Sequence, residues 1–237
     1  RDLRMSRGLG DVYKRQFQSS VIDFDKDRSD RSTYKLLGGS IGFYGSTLNT
    51  RQYATKGYLE KLIAQVFTGR ERFEPGNPQE GYSPSPQERQ SWLQISYMKE
   101  AYHTMGPKFT LGWMAEALYS SKNFSENYTA TMMQAGEFAP TPHSKLMYNE
   151  AFRANQYVAA GIKPIYVLND MFQFRTEFYG FTPIFPIKKN ALNKAYYGKA
   201  FSRFEYMGEV SVICHLPFGA ISAYAVSYTH LRAHETC

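Results

Sequence analysis

The sequence predicts an all-β fold, an antiparallel up-and-down transmembrane β-barrel of which about eight strands are present. Three observations carry that expectation. Strand-like runs fall at 36–48, 57–72, 91–103, 108–118, 152–166, 171–183, 201–216 and 220–225. The connections between the later runs alternate long (73–90), short (104–107), long (119–151), short (167–170), long (184–200) and short (217–219). A meander trimmed at one end and elaborated at the other has this rhythm, as outer-membrane barrels do. Within the runs apolar and polar residues alternate with a period of two, and nowhere is a helical period sustained.

In chain order, the run 36–48 is rich in glycine, which suits a strand that must twist and bend. Gly38-Gly39-Ser40-Ile41-Gly42 has the spacing of a nucleophile elbow, but an elbow needs a helix after the serine. Phe43-Tyr44-Gly45-Ser46-Thr47-Leu48 follows instead, and no Asp-Gly dipeptide occurs in the chain, so Ser40 is not assigned as a nucleophile. In 91–103, Leu93, Ile95 and Tyr97 oppose Gln94 and Ser96. In 108–118, Phe109, Leu111, Trp113, Ala115 and Ala117 oppose Thr110, Gly112, Met114 and Glu116. Pro164 cannot donate to a ladder and marks the approach to a turn at Asn169-Asp170. The clearest alternation is in 171–183: Phe172, Phe174, Thr176 and Phe178 on one face, Gln173, Arg175, Glu177 and Tyr179 on the other. The run 201–216 repeats it, with Phe204, Tyr206, Gly208, Val210 and Val212 against Arg203, Glu205, Met207, Glu209 and Ser211.

A soluble β-sandwich also alternates, with its apolar face inward. Three features favour the membrane. The runs exceed the ~5–6 residues usual in sandwiches and reach the ~9–11 of a tilted spanning strand. Aromatic residues gather near run ends (Phe43, Tyr44, Tyr58, Phe67, Trp92, Tyr102, Phe109, Tyr119, Phe201), as interfacial girdles require. The polar face carries opposite charges side by side, Arg175 and Glu177 next to Arg203 and Glu205. In this reading Phe174→Arg harms insertion, whereas the same change at Gln173 is mild. The proline-bearing connections 73–90 and 119–151 are expected to be exposed.

Both termini are set apart from the fold. Back-translation of Ser6–Gln16, reverse-complemented and read one base out of frame, spells Val226 to Glu235 and the first base of the codon for Thr236. Two segments related through DNA strands rather than through protein similarity resemble translated sequencing-library adapters, and such scars are excluded from fold reasoning. Residues 1–16 and 226–237 are therefore read as adapter-derived, and 17–225 as an internal piece of a longer gene. Of 28 Lys and Arg and 21 Asp and Glu, the core keeps 22 and 18, so the net charge falls from +7 to +4. The basic residues do not cluster with stacking aromatics, which argues against a nucleic-acid partner.

Of the candidates for chemistry, His103, His143 and His215 share no metal-ligand spacing. Cys214 lies in an apolar run, where burial or a lipid-facing position is expected rather than catalysis. Asn123-Phe124-Ser125 and Asn127-Tyr128-Thr129 match glycosylation sequons by chance. No catalytic, cofactor-binding or metal-binding residue is assigned, and no cofactor is expected.

The segment Leu48-Asn49-Thr50-Arg51-Gln52-Tyr53-Ala54-Thr55-Lys56-Gly57, with a long strand on each side, resembles a turn in the barrel of the bacterial surface antigen family, although its proline is missing here. Asn127-Tyr128-Thr129-Ala130-Thr131, Pro140-Thr141-Pro142-His143-Ser144, Phe152-Arg153-Ala154-Asn155-Gln156-Tyr157, Tyr197-Gly198-Lys199 and Pro217-Phe218-Gly219 resemble the C-terminal barrel of patatin-like phospholipases of Bacteroidetes-type bacteria. That resemblance covers most of 17–225. It implies an outer-membrane location, lipids and the barrel assembly machinery as partners, and an upstream hydrolase domain holding a Ser–Asp dyad, neither member of which matches a position here. The short turns would then face the periplasm and the long connections the outside. Two alternatives stay open: a surface antigen-type barrel without hydrolase, serving assembly or secretion, and a soluble β-sandwich or lipocalin-like binder.

Overall fold

The structure, a computed structural model, describes residues 31–74 and 89–232. Among them eight long strands form one antiparallel sheet in chain order: β1 (Arg31–Ser46), β2 (Gly57–Glu74), β3 (Arg89–Thr104), β4 (Phe109–Ser120), β7 (Gln156–Val167), β8 (Phe172–Pro183), β11 (Arg203–Leu216) and β12 (Gly219–Arg232). The strands β5 (Gly136–Glu137), β6 (Arg153–Ala154), β9 (Ile187–Lys189) and β10 (Ala195–Tyr197) make two small antiparallel pairs within the long connections. The all-β meander expected from the sequence is thus present. Its sheet is open, with β1 and β12 as the edges.

The chain divides into two compact units. The described part of the smaller is Arg89 and the far end of the first hairpin, Arg31–Leu36 beside Gly69–Glu74, where the Tyr34 hydroxyl donates to Glu71 at 2.8 Å. The larger holds 37–68 and the chain from Gln90 onward.

Local departures from the expected boundaries have physical causes. β7 begins at Gln156 rather than 152, because Glu150–Phe152 form a 3-10 turn whose Asn149 side chain accepts from Ala151 N, and Arg153–Ala154 pair with β5 instead. Pro164 lies inside β7, paired with Leu111 of β4. Only the ladder toward β8 lacks pairs at 163 and 164, so the missing N–H opens one ladder and not the strand. The 119–151 connection is not the exposed loop expected. It contains a helix, α1 (Tyr128–Gln134), and buried side chains including Met132, Phe138 and Thr141. Most of the long connection at 73–90, and the adapter-like 1–16, lie outside the described residues.

β12 runs to Arg232, into the adapter-like segment, with Val226 opposite Glu209 and Tyr228 opposite Met207. Ladder pairing uses main-chain groups that every non-proline residue carries, so the strand extends whatever the origin of its side chains.

Candidate functional site: a sheet whose polar face is buried

The two faces of the sheet are inverted relative to a soluble protein. On β8, Phe174 and Phe178 are 41% and 52% exposed while Arg175 and Glu177 between them are buried. On β11, Val210 and Val212 are exposed, and Glu205, Glu209 and Ser211 are buried. β7 continues the pattern, with Val158, Ile162 and Tyr166 exposed against Lys163 buried at 4%. Lys, Glu and Arg are almost never fully buried unless paired. Here Lys163, Arg175, Glu177 and Glu205 are in ion pairs, and Glu209 is the exception among the described residues.

The pairing forms a chain that links side chains of three strands, β3, β7 and β8. Lys163 Nζ (β7) donates to Glu100 Oε1 (β3) at 2.8 Å, and the Tyr102 hydroxyl donates to the same carboxylate. Arg175 (β8) donates from Nη2 to the Tyr102 hydroxyl at 3.3 Å and from Nε to Glu177 Oε1 at 3.0 Å, and Tyr179 donates to Glu177. Gly161 makes room for this cluster: a Cβ there would meet the Tyr179 ring at 2.2 Å. A second carboxylate, Glu116 of β4, accepts from the Tyr157 hydroxyl at 2.5 Å. Glu209 stands directly opposite Glu177 in the β8–β11 register. Among the described residues, its Oε2 and the Ser211 hydroxyl find no hydrogen-bond partner.

Both ends of this face are covered by connections. At the long-connection end, Phe138 and Phe152 pack on Tyr157, Phe181 and Met207, with Phe138 stacked on Phe181 at 5.9 Å. The local fold that delivers them is capped twice. Asn127 Oδ1 accepts from Thr129 N at 2.7 Å at the start of α1, and Arg153 donates to the terminal carbonyls of Met133 and Ala135 while pairing with Glu137 at 2.5 Å. Arg203 pairs with Glu205 at 2.7 Å and also donates to Ala151 O, which ties the same connection to β11. Burial, and then the hydrogen bond to Glu150, pushes the Tyr128 hydroxyl up from the usual phenol range, so it stays a donor through neutral pH.

At the other end, residues 47–56 fold under the sheet. Asn49 Oδ1 closes the loop by accepting from Thr55 N and Lys56 N, both at 3.0 Å. Gly57 leaves it at φ 91°, where a Cβ would strike Thr47 O at 2.1 Å. The tip then meets β8: Gln173 Nε2 donates to Tyr53 O at 3.2 Å and Arg175 Nη1 to Ala54 O at 2.9 Å. Ala54 is buried against Tyr102 and Ile165.

The sequence-derived assignments map onto this geometry unevenly. The apolar and polar sets named for β3, β4, β8 and β11 fall on opposite faces as expected. The aromatic girdle does not hold as a set. Phe43, Tyr44, Tyr58, Phe109, Tyr119 and Phe201 are exposed, but Trp92 and Tyr102 are buried, and Phe67 stacks on Trp92 at 5.2 Å. Ser40 sits within β1 with no helix after it. The three histidines are scattered: His103 accepts from Trp113 Nε1 at 3.2 Å, His143 packs on Tyr224, and His215 contacts Gln173 at 2.9 Å. Among the described residues no His, Cys, Asp or Glu group is arranged to hold a metal. Asn127 of the second sequon is consumed as a helix cap. Cys214 shares the apolar parity of Val212. Sequence reasoning missed Lys163 and Glu100. Lys163 sits on a face otherwise made of Tyr157, Ala159, Gly161 and Ile165, and Glu100 follows Lys99, so neither stood out by alternation. The apolar face is itself interrupted between β2 and β3, where Glu60 accepts from Tyr97 at 2.6 Å and lies 3.7 Å from Lys99.

No family model, curated protein or solved structure matches this chain. The class its own geometry defines is an antiparallel meander with an exposed apolar face and a buried, charge-paired polar face.

Proposed function

We propose that this chain is the membrane-embedded part of a larger outer-membrane β-barrel, and that the barrel anchors an upstream patatin-type lipid acyl hydrolase. The observation that carries the barrel is the inversion of the faces. Exposed Phe, Ile and Val with buried Arg, Lys and Glu is the arrangement that lipid outside and a polar lumen inside stabilise, and a soluble sandwich requires the reverse. The dimensions agree. On the apolar face of β4, Phe109 and Tyr119 stand ten residues apart, about 34 Å along a strand and about 24 Å when tilted by about 45°. The apolar band of such barrels is about 25 Å tall. The open edges β1 and β12 would pair with further strands of the parent protein.

The hydrolase rests on the sequence resemblance alone, and catalysis would lie outside this chain. The barrel assembly machinery and outer-membrane lipids are the partners this reading requires. Folding the full-length parent in detergent tests the barrel: its electrophoretic mobility should change on boiling. A protein that stays soluble without detergent and runs identically before and after heating overturns the reading. The gene upstream of Phe17 tests the hydrolase. A nucleophile elbow plus an Asp-Gly supports it, and periplasmic adaptor domains alone would favour an assembly or secretion barrel.

A further inference from the structure

We propose that the 47–56 connection is a releasable lid that seals the polar face at its short-turn end, with Arg175 as its latch. The inference rests on the barrel reading above. The sister turns at the same end take four residues or fewer (105–108, 168–171, 217–218), so joining β1 to β2 does not need ten. The extra length is spent on reach. The loop leaves β1 and touches Tyr102 of β3, Ile165 of β7, Gln173 and Arg175 of β8, and Ser222 of β12, to whose hydroxyl Tyr53 donates at 2.8 Å. From β2 to β8 is four strand spacings, about 19 Å along the sheet.

Its attachment is light for so long a crossing. Two side-chain donors hold the main-chain carbonyls of Tyr53 and Ala54, and the Tyr53 ring is held by its hydroxyl contact to Ser222 and by the Arg175 guanidinium 5.8 Å from its centre. Tyr53 is itself left-handed at φ 55°, a conformation disfavoured for an aromatic residue and held only while these contacts last. The tip residues Thr50, Arg51 and Gln52 are exposed and polar, so the apolar surface uncovered by release is the small cluster of Ala54 against Tyr102 and Ile165. Behind the lid lie the Arg175–Glu177 pair and the Ser211 hydroxyl, which has no hydrogen-bond partner among the described residues. Opening would admit water and small hydrophilic solutes to them.

The test is thiol accessibility in the full chain folded in detergent. With Cys214→Ser and Cys237→Ser as background, Ser211→Cys places a thiol behind the lid, and a small cationic methanethiosulfonate probes it. Labelling should be slow with the lid intact. Ser222→Ala should raise the rate about fivefold, the factor one typical net hydrogen bond represents in an opening equilibrium. Replacing 50–54 with Gly and Ser, and Arg175→Met where it folds, should raise it further. Trypsin cleavage after Arg51 should accelerate in parallel in the Ser222→Ala and Arg175→Met chains. Equal labelling across these variants in a protein whose mobility is heat-dependent overturns the lid alone. Loss of heat-dependent mobility in the parent overturns the barrel reading beneath it.

Discussion

Alternate residues of β8 and β11 share one backbone and face opposite surroundings. Phe174, Phe178, Val210 and Val212 are left bare, while Arg175, Glu177, Glu205 and Glu209 are enclosed. In water the first set would go without the hydrophobic stabilisation of burial, while the second exchanges hydration for the ion pairs Arg175–Glu177 and Arg203–Glu205. Under the proposed barrel reading, the surroundings rather than the residues are inverted. The enclosed set also depends on specific partners, whereas the bare set depends on bulk surroundings. Mutations should therefore fail differently on the two faces.

The largest effect is expected at Arg175. Arg175→Met removes the cation shared by Glu177, Tyr102 and the Ala54 carbonyl. Breaking a buried pair by deleting one partner costs about 3–5 kcal/mol, since the other charge stays buried and alone. Urea unfolding in micelles reads it. A loss below about 1 kcal/mol, the range of exposed pairs, would mean that the polar face is wet and the contrast between faces is false.

On the other face the sign of one substitution separates the two environments. Phe174→Arg should destabilise the bilayer-folded protein by about 2–4 kcal/mol if the site lies near the midplane. In a water-exposed sheet the same change would be neutral within about 0.5 kcal/mol. The structure revises the companion expectation for Gln173. That side chain is 2% exposed and holds both Tyr53 O and His215, so Gln173→Arg would crowd Arg175 rather than pass unnoticed. A neutral result for Phe174→Arg in lipid vesicles would remove the main support for a membrane-facing surface.

The meander was legible because strand periodicity and turn spacing are local properties, and β8 and β11 carry strict alternation. What stayed hidden is long-range. Nothing in Leu48–Gly57 announces that its tip docks on β8, about 120 residues away in sequence. The 119–151 connection looked exposed because its prolines and polar residues read as loop, yet Thr141 is enclosed by hydrogen bonds with Ser144. Phe67, Trp92 and Tyr102 sat near strand ends, where an aromatic girdle is expected, but parity turns them inward.

Two glycines sharpen the comparison at smaller cost. Gly161 is on the polar face, and its substitution by alanine puts a methyl group 2.2 Å from the Tyr179 ring and 2.9 Å from Phe178 O. Tyr179 is bonded to Glu177 and cannot step aside, so Gly161→Ala should cost about 1–3 kcal/mol as overpacking. Gly208 is on the apolar face, and a Cβ there meets Phe178 at an ordinary 3.7 Å. Gly208→Ala should be close to neutral. Equal unfolding midpoints for the two variants would show that the polar face has slack.

The smallest effect belongs to neither face. Asn127 caps α1 by accepting from Thr129 N and Ala130 N, within a connection that the barrel reading puts outside the membrane. Asn127→Ala should cost about 0.5–2 kcal/mol, the ordinary value of a helix cap, and the same amount in thick or thin bilayers. High pH should act on the same segment. The folded Tyr128 hydroxyl titrates above its unfolded value, so its contribution is whole below the usual phenol range of about 10 and is lost as pH rises through the higher folded value. Hydrogen exchange of the amides of α1 reads both effects. If Asn127→Ala instead changes the exposure of the charged face, measured as exchange in β8, then the connection is part of the buried network and the division into two faces and their covers is too simple.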